Sequence, residues 1–213
     1  MTAILIVDDH MIIRRGLRQI LSEDQAIGAI HDAEDGPSAL RILRSTAVDV
    51  VLLDIALGER DGLDVLKTLH GEFPRLGVIM LSVYPENQFA LRAIRGGAHA
   101  YLNKGCSPDI LFAAIAKVAS GGLYITPVLA ELLAENVRGA AGDESAPHEV
   151  LSNREFQVLQ LLAQGRSISQ IAQQLMLSAN TISTYRARIF EKLGLHNAAD
   201  LFGYAARHRL ISV

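Results

Sequence analysis

The chain has 213 residues, half of them apolar and a fifth charged, with a formal net charge of −3. This is an ordinary globular composition for one or two domains and argues against a disordered or fibrous chain. No apolar run approaches the ~20 residues that span a bilayer, the start MTAILIVDDH has no basic segment leading an apolar one, and the single cysteine, Cys106, excludes an internal disulfide. A cytoplasmic protein without a membrane partner is predicted.

The charge is unevenly spread. From His148 onward there are seven Lys or Arg and four Asp or Glu, a balance of +3. The whole chain carries −3, so the first 147 residues carry −6. An acidic module joined to a basic one points to two tasks.

Through the first ~120 residues, short aliphatic runs alternate with amphipathic stretches. AILIV, IGAIHDA, VDVVLL, LGVIML and AHAYL predict strands. MIIRRGLRQILSE, GPSALRILRS, GLDVLKTLHGE, NQFALRAIRGG and SPDILFAAIAKVASGG predict the helices between them. Five such repeats predict a doubly wound, five-stranded parallel sheet of the flavodoxin-like kind. Residues 122–147 read as a connection, with a short helix in TPVLAELLAEN followed by the linker GAAGDESAPH. Residues 148–213 show helix signals only, which predicts an all-α four-helix domain. Ser152 with Glu155, and Ser167 with Gln170, have capping-box spacing. A third helix runs from about Ala179 to Leu193 with Gly194 as its stop, and a fourth from about Asn197 to His208.

A doubly wound sheet binds ligands outside the carboxyl ends of its strands. Asp8 and Asp9 stand there after the first strand, Asp54 after the third, Ser82 after the fourth and Lys104 after the fifth. Clustered carboxylates repel one another unless a cation is present. A hard oxygen set suits Mg²⁺, which keeps waters and phosphate oxygens among its ligands. Metal and Lys104 together would neutralise a transferred phosphoryl group, with one carboxylate as its acceptor and Ser82 as a hydrogen-bond partner. Cys106 and the histidines show no metal-ligand spacing and are assigned no role. A phosphatase of another α/β class also forms an aspartyl phosphate, but its nucleophile-x-Asp pattern is not the Val7-Asp8-Asp9-His10 found here.

In the basic part, two short helices about a tight turn at Leu177-Ser178 predict a helix-turn-helix. The second carries Asn180, Thr181, Ser183, Thr184, Tyr185, Arg186, Arg188 and Lys192, with Ile182, Ile189, Phe190 and Leu193 for burial. Ser183 and Thr184 are short enough to approach base edges in a major groove. Arg186, Arg188 and Lys192 suit phosphates.

The set Asp8-Asp9, Asp54, Ser82, Tyr101 and Lys104, with LLDIALGERDGLDVL, resembles the receiver domain of two-component response regulators over residues 1 to about 120. The resemblance implies that Asp54 accepts phosphate from a sensor histidine kinase. It also implies that Asp8, Asp9, Asp54 and the backbone carbonyl of Ala56 hold Mg²⁺, that Ser82 and Tyr101 form a switch pair, and that Lys104 contacts the phosphate. Gly58 stands where many receivers have proline, and Gly105 where an acidic residue or proline is common. LSNREFQVLQLLAQG with SISQIAQQLMLSANTISTYRARIFEKLGL resembles the LuxR/NarL-type DNA-binding domain. This implies a third helix that reads promoter DNA and a fourth that serves as a dimer contact. Many relatives have lysine in place of Ser183 and histidine in place of Tyr185. TISTYRAR is closer to a subgroup that includes virulence and global-metabolism regulators. The combined expectation is a transcriptional regulator rather than an enzyme. Its phosphorylation gates dimerisation and DNA binding, and RNA polymerase is a further candidate partner.

Overall fold

The computed structural model describes residues 1–58, 60–139, 150–208 and 210. They divide into two compact units, residues 1–138 and 139–213.

In chain order the first unit comprises β1 (Thr2–Val7), α1 (Met11–Leu21), β2 (Ile27–Ala33), α2 (Gly36–Ser45), β3 (Val50–Asp54), β4 (Ala56–Leu57), β5 (Arg60–Asp61), α3 (Gly62–Glu72), β6 (Gly77–Ser82), α4 (Glu86–Arg95), β7 (Ala100–Asn103), α5 (Pro108–Ala119) and α6 (Pro127–Gly139). The main sheet is parallel with order β2-β1-β3-β6-β7. Each central strand is a continuous apolar run because helices cover both faces. Ile4, Ile6, Leu52, Ile79, Leu81 and Leu102 pack with Leu21, Leu111 and Ile115 in one cluster. Leu5, Leu53 and Met80, which alternate with them, are equally buried and face away. Helix starts follow local chemistry. The Asp35 carboxylate accepts from the Ser38 N–H, with Pro37 in the first turn of α2. Asp61 accepts from Leu63 N–H at 2.9 Å and opens α3.

Two features differ from the sequence reading. Residues 56–61 form a small antiparallel ribbon, β4 with β5, where no strand was expected. Its turn includes Gly58 at φ +51°, a left-handed conformation closed to the proline of many receivers. The helix assigned to the connection, α6, and the residue before it are hydrogen-bonded to α4. Leu129 is fully buried, the Thr126 hydroxyl donates to the Glu86 carboxylate, and Arg95 donates to Asn136 at 2.8 Å. The expected linker, apart from Gly139, lies outside the described residues.

The second unit contains α7 (Asn153–Ala163), α8 (Ile168–Leu175), α9 (Ala179–Leu193) and α10 (Ala198–Arg207). Both expected capping boxes form, at Ser152 and Ser167. Helix α8 ends at Met176, whose φ of 52° is left-handed, and α9 ends at Gly194 with φ 63°. Two left-handed residues thus bracket α9 and set its direction.

Candidate functional site

The strand order reverses between β1 and β3, the point in a doubly wound sheet where ligands bind beyond the carboxyl ends of the strands. Asp8 leaves the end of β1, Asp54 closes β3 and Ser82 closes β6, and all three are buried. Lys104 follows β7 and reaches back across the sheet edge. Its Nζ lies 2.6 Å from Asp8 Oδ2 and 2.8 Å from Asp54 Oδ2. Backbone geometry fixes this reach, because Lys104 N–H donates to the Ser82 carbonyl at 2.7 Å.

Burial dominates the electrostatics. It pushes the Asp54 carboxyl up to about 6, against the pull of Lys104, with the Asp8 charge adding to the rise. Burial alone would lower Lys104, but Asp54 and Asp8 outweigh it and hold the ammonium above its ordinary value. The Asp54 Oδ2 contact is an ion pair without an aligned hydrogen bond, and Asp9 Oδ1 is likewise buried without one. Two such oxygens on adjacent carboxylates are the donor set a hard divalent cation completes. Asp8, Asp9, His10 and Asp54 each offer a ligand atom, and these lie within 4.8 Å of one another. The site therefore fits the expected metal. A Cβ on Gly62 would stand 2.0 Å from the Asp54 carbonyl oxygen, so α3 starts against the back of Asp54 only because residue 62 has no side chain.

Ser82 and Tyr101 lie on neighbouring strands. The Ser82 hydroxyl accepts from Tyr84 N–H at 3.0 Å. The fully buried Tyr101 donates its hydroxyl to the Tyr84 carbonyl at 3.0 Å. Burial raises the Tyr101 phenol far above its usual value, so it stays protonated and a donor. Tyr84, in the loop between β6 and α4, thus connects both.

On α9 the predicted set is only partly spread for contact. Asn180, Ser183, Thr184, Arg186 and Arg188 are exposed, whereas Thr181 and Tyr185 are half-buried. The Ser183 and Thr184 hydroxyls donate back to the Ala179 and Asn180 carbonyls at 2.9 and 3.0 Å. Arg186 lies over the Phe190 ring, 5.1 Å from its centroid. Ile182 and Ile189 are buried as expected. Phe190 and Leu193 are half-buried. Lys192, read from the sequence as a phosphate contact, is engaged within the domain in the free chain. Its Nζ is 2.7 Å from Glu155 Oε2 and 3.5 Å from the Val150 carbonyl, tying α9 to the start of α7.

Residues 4–116 match the model of the response regulator receiver domain. Residues 149–205 match that of the bacterial regulatory proteins of the luxR family. The response regulator UvrY of Escherichia coli K12 is 35% identical over 210 residues, spanning 99% of this chain and 96% of that protein. The chain belongs to the two-component response regulators of the LuxR/NarL type. Among solved structures, the response regulator ChrA of a heme-sensing two-component system is 30% identical with a TM-score of 0.52, over 98% of each chain. RcsB from Salmonella enterica serovar Typhimurium, solved bound to promoter rprA with the phosphomimetic BeF3⁻, is 25% identical with a TM-score of 0.59, over 97% of this chain and 99% of that one. This response regulator is a DNA-binding transcriptional regulator rather than a classical enzyme.

Sequence reasoning passed over three residues of its site. His10 follows the acidic pair directly and joins the cluster through Nδ1, 2.7 Å from Asp9 Oδ1. Its adjacency to Asp9 was the available signal. Tyr84 takes part through its carbonyl, which no side-chain pattern reveals. Glu155 was legible as a capping residue, but its second contact, to Lys192, joins positions 37 apart.

Proposed function

We propose that Asp54 accepts a phosphoryl group from a sensor histidine kinase and that this event controls binding of promoter DNA through α9. The observation that carries the reading is the pair of buried carboxylates Asp8 and Asp54 bridged by Lys104, beside the hydrogen-bonded Ser82–Tyr84–Tyr101 group. The Asp54 carboxylate attacks phosphorus, a P–O bond forms, and the P–N bond to the donor imidazole breaks with its electron pair leaving on nitrogen. Asp8, Asp9, Asp54 and the Ala56 carbonyl would hold Mg²⁺, which supplies positive charge to the transferring oxygens. Lys104 exchanges its contact with Asp54 for one with a phosphoryl oxygen. Ser82 turns its hydroxyl toward the new group, which breaks the bond from Tyr84 N–H and frees the loop before α4. A two-state rearrangement of that loop and Tyr101 carries the change outward.

The receiver is assigned to residues 1–121, the connection with α6 to 122–147 and the DNA-binding domain to 148–213. Dimers formed on activation place two α9 helices on paired half-sites, and tethering then raises affinity through effective concentration. RNA polymerase contact at the promoter belongs to the same reading. Among the described residues no helix is long and apolar enough to cross a membrane, and a cytoplasmic place suits a kinase-to-promoter relay. The test is DNA binding across genomic fragments with and without a small phosphodonor and Mg²⁺. Tighter, site-selective binding with donor, absent in Asp54→Ala, is expected. Equal binding under both conditions would refute the gate.

A further inference from the structure

The imidazole at the rim of the acidic cluster has no part in the phosphoryl chemistry above. His10 is the N-cap residue of α1, with extended backbone and no capping bond from its side chain. Instead Nδ1 points into the cluster, 2.7 Å from Asp9 Oδ1 and 3.3 Å from Asp8 Oδ1. The backbone helps to place it, since His10 N–H donates to Asp8 Oδ1 at 2.8 Å. Arg14 also donates to the Asp8 carbonyl, at 2.6 Å, which braces the turn between β1 and α1. The ring is half-exposed, so it can rotate without disturbing the core. Asp54, which faces it, is buried with Oδ2 free of an aligned hydrogen bond.

We propose that His10 is a nitrogen ligand of this centre and shifts its preference from Mg²⁺ toward first-row transition ions such as Ni²⁺ or Fe²⁺. This rests on the reading that the acidic cluster holds a divalent cation. A site of carboxylates, carbonyl and water suits Mg²⁺, whereas imidazole is a poor ligand for Mg²⁺ and a good one for Ni²⁺, Fe²⁺ or Zn²⁺. Cluster atoms within 4.8 Å of one another leave room for one shared ion, with Nδ1 exchanging its contact to Asp9 for the metal. The choice of ion would then depend on one side chain that lies outside the acceptor, lysine and switch groups.

The measurement is isothermal titration of the metal-free full chain with Ni²⁺ and with Mg²⁺ separately, for wild type, His10→Ala and Asp54→Ala. In His10→Ala, Ni²⁺ affinity is expected to fall by about tenfold or more, the scale on which coordination-shell changes act. Mg²⁺ affinity is expected to stay within about twofold, because Mg²⁺ gains little from imidazole. Parallel losses for both ions would show His10 to be only a support for Asp9 and overturn the assignment. Unchanged Ni²⁺ affinity would overturn it equally. If Asp54→Ala leaves both affinities intact, the cluster is not the metal centre and the assignment falls with that reading. A drop for both ions in Asp54→Ala, with loss of Ni²⁺ alone in His10→Ala, is the supporting pattern.

Discussion

Asp54→Asn should stabilise the metal-free receiver unit at neutral pH, although it removes the acceptor. Burial raises the Asp54 carboxyl from 3.8 to about 6 in the folded chain. Folding therefore favours the protonated acid. The associated stability is present below the unfolded value, near pH 4, and is lost as pH rises through the folded value, near pH 6. A shift of about two units corresponds to about 3 kcal/mol at pH 7. Asparagine keeps the shape without the charge and recovers that amount. Lys104 retains Asp8 at 2.6 Å, so it is not left unpaired. For a unit of this size the gain is about 10 °C in melting temperature. Calorimetry in the presence of a chelator is the assay, because it resolves the transitions of two units. The gain should vanish near pH 4, and Mg²⁺ should narrow it at pH 7 by stabilising the wild type. An Asn variant equal to or weaker than wild type at pH 7, with chelator present, would refute the claim that the site stores charge strain.

Lys192→Met should lower the stability of the second unit by about 1–2 kcal/mol, less than for a fully buried pair because the lysine is partly exposed. It should leave the salt slope of DNA binding unchanged, whereas Arg188→Ala should flatten that slope by about one, as expected for a phosphate contact. Met176→Gly should raise stability by about 1 kcal/mol, since a left-handed residue with a side chain is strained and this one is exposed; chemical denaturation of the second unit checks it. Gly62→Ala should cost about 3 kcal/mol and reduce phosphorylation, because the new methyl would meet the Asp54 carbonyl; a well-folded, fully labelled variant would contradict the close approach. Tyr101→Phe should leave BeF3⁻ binding intact but weaken its effect on DNA affinity, read by titration of labelled DNA.

The alternation of five apolar runs with amphipathic stretches was enough to give the doubly wound sheet, since strands buried on both faces must be continuously apolar. The edge residues Asp8, Asp54, Ser82 and Lys104 were legible for the same reason, because a parallel sheet collects the ends of its strands on one side. Capping chemistry was equally local, and Ser152 with Glu155 and Ser167 with Gln170 form the boxes their spacing announced. Contacts between distant segments were not legible. The bond from Tyr101 to the Tyr84 carbonyl and the hydrogen bonds of Thr126 and Asn136 to α4 depend on how loops turn after the elements are placed. Lys192 shows the limit most plainly. On a helical wheel it is one more exposed cation, and only the packing of α9 against α7 brings the buried Glu155 to within 2.7 Å of it. Sequence pattern determines which face of an element is apolar, because that depends on the local repeat. Which polar group spends its charge inside the protein is decided by tertiary packing, because the cost of burying a charge is met only by a partner that the chain brings from far away.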